Sequence, residues 1–160
     1  MRQLIAAAFA SAVALLAVTS VTAVPSSQAS LDFLKANAKK SGVVVVPGIQ
    51  YRVVKSGKGA QPGHRDCATV NYKGTFVDGR VFDQSKPGKP ITFPVGGVIA
   101  GWTEALQMMH EGDKWELVIP SGLAYGKTGT PGGPIPPDAT LVFDVELLKV
   151  FPSEMGQCVE

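Results

Sequence analysis

The stretch Val98-Ile99-Ala100-Gly101-Trp102-Thr103-Glu104-Ala105-Leu106-Gln107-Met108-Met109 is a helical pattern set inside a half-chain that otherwise alternates as strands do. It restricts the fold more than any other feature. Trp102, Ala105, Leu106 and Met109 recur at helical spacing on one face. A helix of two or three turns is marginal alone in water, so this one must be held by packing, within the concave face of a sheet. Trp102 begins the helix beside Gly101, and two readings are open for it: an ordinary core tryptophan, or the floor of a pocket.

The flanking segments supply the sheet. Ile49, Tyr51 and Val53 alternate with polar neighbours until Ser56-Gly57-Lys58-Gly59 ends the run. Over residues 67–76 the pattern points Ala68, Val70 and Tyr72 inward, and Asp78-Gly79 predicts a hairpin turn into residues 80–83. After an irregular loop at 86–90, Ile91 to Val95 reads as a short strand or sheet edge. A turn at His110 to Asp113, its histidine read as solvated, precedes a strand that aligns Trp115, Leu117 and Ile119. Residues 140–150 place Leu141, Phe143, Val145 and Leu147 on one face. Residues 121–138 hold five Gly and four Pro, too broken for regular structure and too apolar for a linker. Long loops of this kind are often functional. The fold expected is α+β: an antiparallel sheet of about five strands wrapped around one short helix.

Upstream, Leu31 to Lys40 predicts a short N-terminal helix capped by Ser30, and Val43 to Val46 an extended connector stopped by Pro47-Gly48. Arg2 followed by the apolar run Leu4 to Val18 reads as a secretory signal, too short and Ala-rich for a membrane span. The chain therefore divides into a signal peptide at 1–23, a helix and connector at 24–47, a globular domain at 48–151 and a tail at 152–160. Cleavage after Ala29, or retention as an anchor, are the alternatives. An exported protein is permitted a disulfide. Cys67 and Cys158 lie far apart and in no metal-ligand spacing, which leaves pairing and free thiols both open.

A net charge of +2 with Lys and Arg scattered along the chain gives no basic block, so nucleic acid is not an expected partner. No Ser/His/Asp set, carboxylate pair near a histidine, phosphate-binding glycine loop or metal cluster can be assembled from the sequence. No cofactor or metal is expected. What remains is a hollow in which Tyr72, Phe82 and Phe143 converge on Trp102, with the lone acid Asp83 beside Phe82. The plainer role for Asp83 is a carboxylate capping nearby backbone N–H groups.

Val70-Asn71-Tyr72-Lys73-Gly74, Asp78-Gly79, Val81-Phe82-Asp83, Val98-Ile99-Ala100-Gly101-Trp102, Ala124-Tyr125-Gly126 and Ile135-Pro136-Pro137 with Ala139-Thr140-Leu141-Val142-Phe143 follow one another in an order and spacing that resemble an FKBP-type peptidyl-prolyl cis-trans isomerase. The likeness runs from about Gly48 to Val150 and is greatest to the exported bacterial branch that includes the macrophage infectivity potentiator proteins. It implies rotation of X-Pro bonds in exported, proline-containing polypeptides, in a bacterial periplasm or outside the cell, with no membrane attachment after signal cleavage. It implies catalysis by Asp83, Tyr125, Phe82 and Tyr72, and substrate binding by Trp102, Ile99, Val98, Phe143, Ile91 and Ile135. By the same resemblance macrolide-type inhibitors are possible ligands, and Cys67 is expected to pair with Cys158, because the family's sheet brings the start of one strand near the end of the other. The short stretch before the first strand predicts a monomer, since longer exported relatives pair through an extended N-terminal helical region. Three features depart from the family: Ile91 stands at a frequent aromatic position, the segment Phe93 to Val98 is about two residues shorter than in single-domain members, and Thr130 replaces a histidine found in some. A module that holds proline-containing chains without turning them over is the alternative function. A ligand-carrying β-barrel would need more strands.

Overall fold

A computed structural model describes residues 27–159. The expected signal peptide lies outside the described residues. The elements in chain order are α1 (Ser27–Asn37), β1 (Val43–Val45), β2 (Gln50–Lys55), β3 (Asp66–Phe76), β4 (Val81–Gln84), β5 (Ile91–Pro94), α2 (Ala100–Leu106), β6 (Lys114–Ile119) and β7 (Leu141–Pro152). The strands form one antiparallel sheet of order β1-β2-β6-β7-β3-β4, with β5 pairing β3 beyond the end of β4.

Among the described residues seven strands stand where the patterning predicts about five. The difference lies partly in Val43–Val45, a β-branched run that pairs along β2 as an edge strand and so does not remain a connector. Alternation holds best at the centre: Leu117, Ile119, Leu141, Phe143, Val145 and Leu147 are all buried against α2, which contributes Trp102, Ala105, Leu106 and, one turn on, Met109. It fails at the β2 edge. Val53, expected inward, is exposed where the β2–β6 register slips between Val53 and Lys55, whereas Ile49 is buried.

The N-terminal helix begins earlier than its sequence signals suggest. Ser30 is not its cap but a buried residue whose hydroxyl accepts the Thr140 N–H at 3.2 Å. Asn37 donates to Gln50 at 2.9 Å, and Gln50 donates to the Leu34 carbonyl at 3.0 Å, so a buried amide pair docks α1 on β2. The alternative cleavage position, after Ala29, falls inside this helix. Turns through Lys40 lead to Gly42, whose φ of +78° stops the helical run.

The helix α2 lies close to β6 because Gly101 has no side chain: a Cβ there would stand 2.5 Å from Ile119 Cγ2. At the other end of the sheet the tail folds back over β3, with the Ser153 hydroxyl on the Arg65 carbonyl and Cys158 in a disulfide with Cys67 at a Cα separation of 5.7 Å. Cys67 is fully buried there. Closing a loop of 91 residues restricts the unfolded chain, for which the chain-entropy argument allows up to about 4–5 kcal/mol. Cys158→Ser is therefore expected to lower the unfolding free energy in urea by up to that amount. Thiol titration of the unfolded, unreduced protein should find no free thiol, and two thiols per chain would contradict the pairing.

Candidate active site

The hollow is built on Trp102. Because Gly101 lets the first turn of α2 sink toward the sheet, the indole lies in the core with its exposure reduced to 5%. Three rings stand edge-on to it: Tyr72 at 5.4 Å and 88°, Phe143 at 5.4 Å and 86°, and Phe93 at 5.9 Å and 83° between centroids and planes. Phe82 meets Phe143 the same way, at 5.6 Å and 87°. Edge-to-face contact is the favourable geometry for aromatic pairs, and here it makes the Trp102 plane a floor and the other rings its walls. The cavity they enclose measures about 490 Å³, large enough for a few side chains.

Two local irregularities shape the wall. Opposite β3 the register of β4 slips between Gly74↔Asp83 and Thr75↔Val81, leaving Phe82 as the extra residue of a bulge. Consecutive side chains, Phe82 and Asp83, therefore both line the hollow, which simple alternation forbids. Gly74 makes room for them: a Cβ there would come within 2.6 Å of Phe82 Cζ and 3.0 Å of Phe143 Cε1.

Of the residues singled out from sequence, Tyr72, Phe82, Asp83, Val98, Ile99, Trp102, Tyr125 and Phe143 all line the cavity. Ile91 and Ile135 do not. Ile91 is 37% exposed at the first position of β5, an edge segment paired on one side only. Ile135 is buried in the core, where it pins the long loop; its N–H donates to Thr130 Oγ1 and its carbonyl accepts the Thr130 N–H. Phe93 and Gly97 line the hollow instead. Phe93 shares the face of Ile91 two residues on, so the period-2 pattern already contained it.

Polar groups are few. The Tyr72 hydroxyl donates to Asp83 Oδ2 at 2.5 Å, and Asp83 Oδ1 accepts the Gln84 N–H at 2.9 Å. Burial first, and then the hydrogen bond to Asp83 and the charge of that carboxylate, with a smaller contribution from Tyr125, push the Tyr72 phenol well above its ordinary value. Ile99 caps α2 through its carbonyl, which accepts the Trp102 and Thr103 N–H groups, while among the described residues its own N–H has no acceptor. Tyr125 sits on the rim, 40% exposed, in a loop braced by Gly126 N–H to Ser121 O and Asp138 N–H to Gly126 O. Among the described residues no histidine lines the cavity. An apolar hollow with one carboxylate, two phenols and the Ile99 N–H at its edge can hold a ring and a peptide unit, and among the described residues it contains no nucleophile and base pair.

The family model for the FKBP-type peptidyl-prolyl cis-trans isomerases matches residues 58–148. The chain is 52% identical over 120 residues to the "Outer membrane protein MIP" of Legionella longbeachae, covering 74% of this chain and 51% of that protein. It is 53% identical over 118 residues to the FKBP-type peptidyl-prolyl cis-trans isomerase FkpA of Escherichia coli, covering 72% and 43%. The crystal structure of that FkpA superposes with a TM-score of 0.73 at 50% identity, over 77% of this chain and 58% of the other. A peptidyl-prolyl cis-trans isomerase from Pseudomonas syringae superposes with a TM-score of 0.72 at 41% identity, over 77% and 91%. The chain spans about half the length of the curated relatives it matches.

The Tyr72 environment is open to a direct check. Its proton is held more tightly in the folded state than in the unfolded one, so its contribution to stability is complete below about pH 10 and is lost as pH rises through the raised folded value. In an absorbance titration of the three tyrosines, one phenol should ionise last, and that late step should be missing from Tyr72→Phe. Three phenols titrating together near their ordinary value would rule out the Tyr72–Asp83 bond.

Proposed function

The chain belongs to the FKBP-type peptidyl-prolyl cis-trans isomerase family, and on that premise we propose that it accelerates X-Pro bond rotation in exported polypeptides during folding. The observation that carries the reading is the apolar Trp102 floor with Tyr72, Phe93 and Phe143 edge-on around it, in a hollow with room for a proline ring and the residues that flank it. The N-terminal apolar run and the disulfide support an oxidising, exported location. Among the described residues no helix is long and apolar enough to cross a membrane.

Rotation about an X-Pro bond meets a barrier of about 18–20 kcal/mol that comes from amide resonance, and uncatalysed it takes tens to hundreds of seconds. No covalent bond need break. Resonance places negative charge on the carbonyl oxygen, so the planar amide is the more polar state and is disfavoured, relative to the twisted one, in a hollow that excludes water. Binding the twisted form more tightly than either planar isomer is the whole of the catalysis. Each 1.4 kcal/mol of that preference yields about tenfold in rate, so a few contacts suffice. The free Ile99 N–H and the Tyr125 hydroxyl anchor substrate carbonyls on either side of the proline. The carboxylate of Asp83, fixed by Tyr72, and the edges of Tyr72, Phe82 and Phe143 face the rotating carbonyl. Family resemblance makes macrolide-type inhibitors the second ligand class of this reading.

A short X-Pro peptide and a protein whose refolding is limited by proline isomerisation together test this reading. Isomerisation speeds the slow phase of refolding, whereas a holding module suppresses aggregation and leaves that phase unchanged. Asp83→Leu is expected to reduce kcat/KM by tenfold or more with little change in melting temperature. Trp102→Ala should lose both activity and about 3–5 kcal/mol of stability, the usual cost of truncating a buried aromatic. The wild-type rate should stay flat between pH 6 and 8, because the step moves no proton; a steep titration there would demand an acid-base group in the site.

A further inference from the structure

Strand pairing between β3 and β4 stops just short of the polar edge of the hollow. The last ladder pair is Lys73↔Gln84, and the next position in that register sets Ser85 opposite Tyr72. One of the two bonds a ladder would make there is present: the Ser85 N–H donates to the Tyr72 carbonyl at 3.0 Å. The other is replaced. Instead of reaching the Ser85 carbonyl, the Tyr72 N–H donates to Ser85 Oγ at 3.1 Å, and the hydroxyl in turn lies 3.3 Å from the Tyr72 carbonyl, within reach to donate. The side chain thus completes the ladder while the backbone turns away into the loop at 86–90.

Those bonds close a ring of contacts around the reactive edge. From Ser85 the chain runs back through Gln84, whose N–H binds Asp83 Oδ1, to Asp83, whose Oδ2 accepts the Tyr72 hydroxyl, and so to Tyr72 again. Ser85 itself does not line the hollow that holds Trp102. We infer that Ser85 is a positioning residue which, from outside the hollow, holds the Asp83 carboxylate beneath the Tyr72 hydroxyl by locking the end of β4 to the Tyr72 backbone. As a role in turnover this rests on the isomerase reading; as a geometric role it does not. An alanine here leaves the Tyr72 N–H without its acceptor and frees β4 to fray at the residue that carries Asp83.

The test uses the full chain with Ser85→Ala and Ser85→Thr, reading the late phenol step assigned by Tyr72→Phe, kcat/KM on an X-Pro peptide, and thermal unfolding. Ser85→Ala is expected to move that phenol back toward the ordinary tyrosine range, because the bond to Asp83 is loosened while the burial of the ring stays. It should also lower kcat/KM by about tenfold with KM little changed, the loss expected when a transition-state contact is misplaced. Ser85→Thr, which keeps the hydroxyl, should restore both. A Ser85→Ala protein with an unmoved phenol step and wild-type kcat/KM, or with a lower melting temperature alone, overturns the inference and leaves the isomerase reading standing. So does a Ser85→Thr protein that loses the late step, should the alanine variant not fold. Inactivity of the wild type would remove the isomerase reading, and the phenol titration of the variants would still decide whether Ser85 positions the pair.

Discussion

Everything in the site depends on how near α2 comes to the sheet. Gly101 faces Ile119 across a gap that admits no Cβ, so the first turn of the helix sits deep and Trp102 is presented flat to three rings standing on their edges. Interiors are close-packed, and adding even one methyl group at such a contact shifts its neighbours. The helix is only seven residues long and owes its stability to this packing rather than to its own propensity. The same burial that stabilises the helix thus makes the floor of the hollow.

The wall is a second consequence of missing atoms. Gly74 vacates the space that Phe82 and Phe143 share, and the bulge at Phe82 turns two consecutive side chains into the cavity. One of them is apolar and the other is Asp83. The carboxylate is placed at the rim, where the Tyr72 hydroxyl and the Gln84 N–H hold it, and not at the apolar floor where an unpaired charge is costly. Burial, and after it the bond to this carboxylate, hold the proton on the Tyr72 phenol above its ordinary range. The hollow combines an apolar base with a polar lip.

Residues 27–57 precede the part of the chain matched by the family model, yet they are tied to the loop that bears Tyr125. Ser30 satisfies the Thr140 N–H where that loop rejoins the sheet. Gly48, at a φ of +114°, is so close to Leu123 and Glu104 that a Cβ would touch both. With the Asn37–Gln50 pair beneath them, these contacts make the N-terminal segment a brace for the rim opposite Asp83. The disulfide braces the other end, holding the tail over β3 and the adjoining β5.

Hydrophobic periodicity determined much of this in advance. The helical spacing of Trp102, Ala105, Leu106 and Met109, the alternation in β6 and β7, and the Asp78-Gly79 turn required an antiparallel sheet around one short helix, because those periods have no other way to bury one face. The convergence of Tyr72 and Phe143 on Trp102 was legible for the same reason. Alternation over-extended at Val53 and Ile91, since a period says which side a residue faces and not whether anything covers it. What only the tertiary structure decided depended on distant partners. Ser30 became a buried acceptor and not a cap because Thr140 lies against it, Val43–Val45 became a strand because β2 offered an edge, and Ile135 went into the core while Phe93 took the wall. The bulge that sends both Phe82 and Asp83 inward belongs to the pairing of two strands, a property no single stretch of sequence contains.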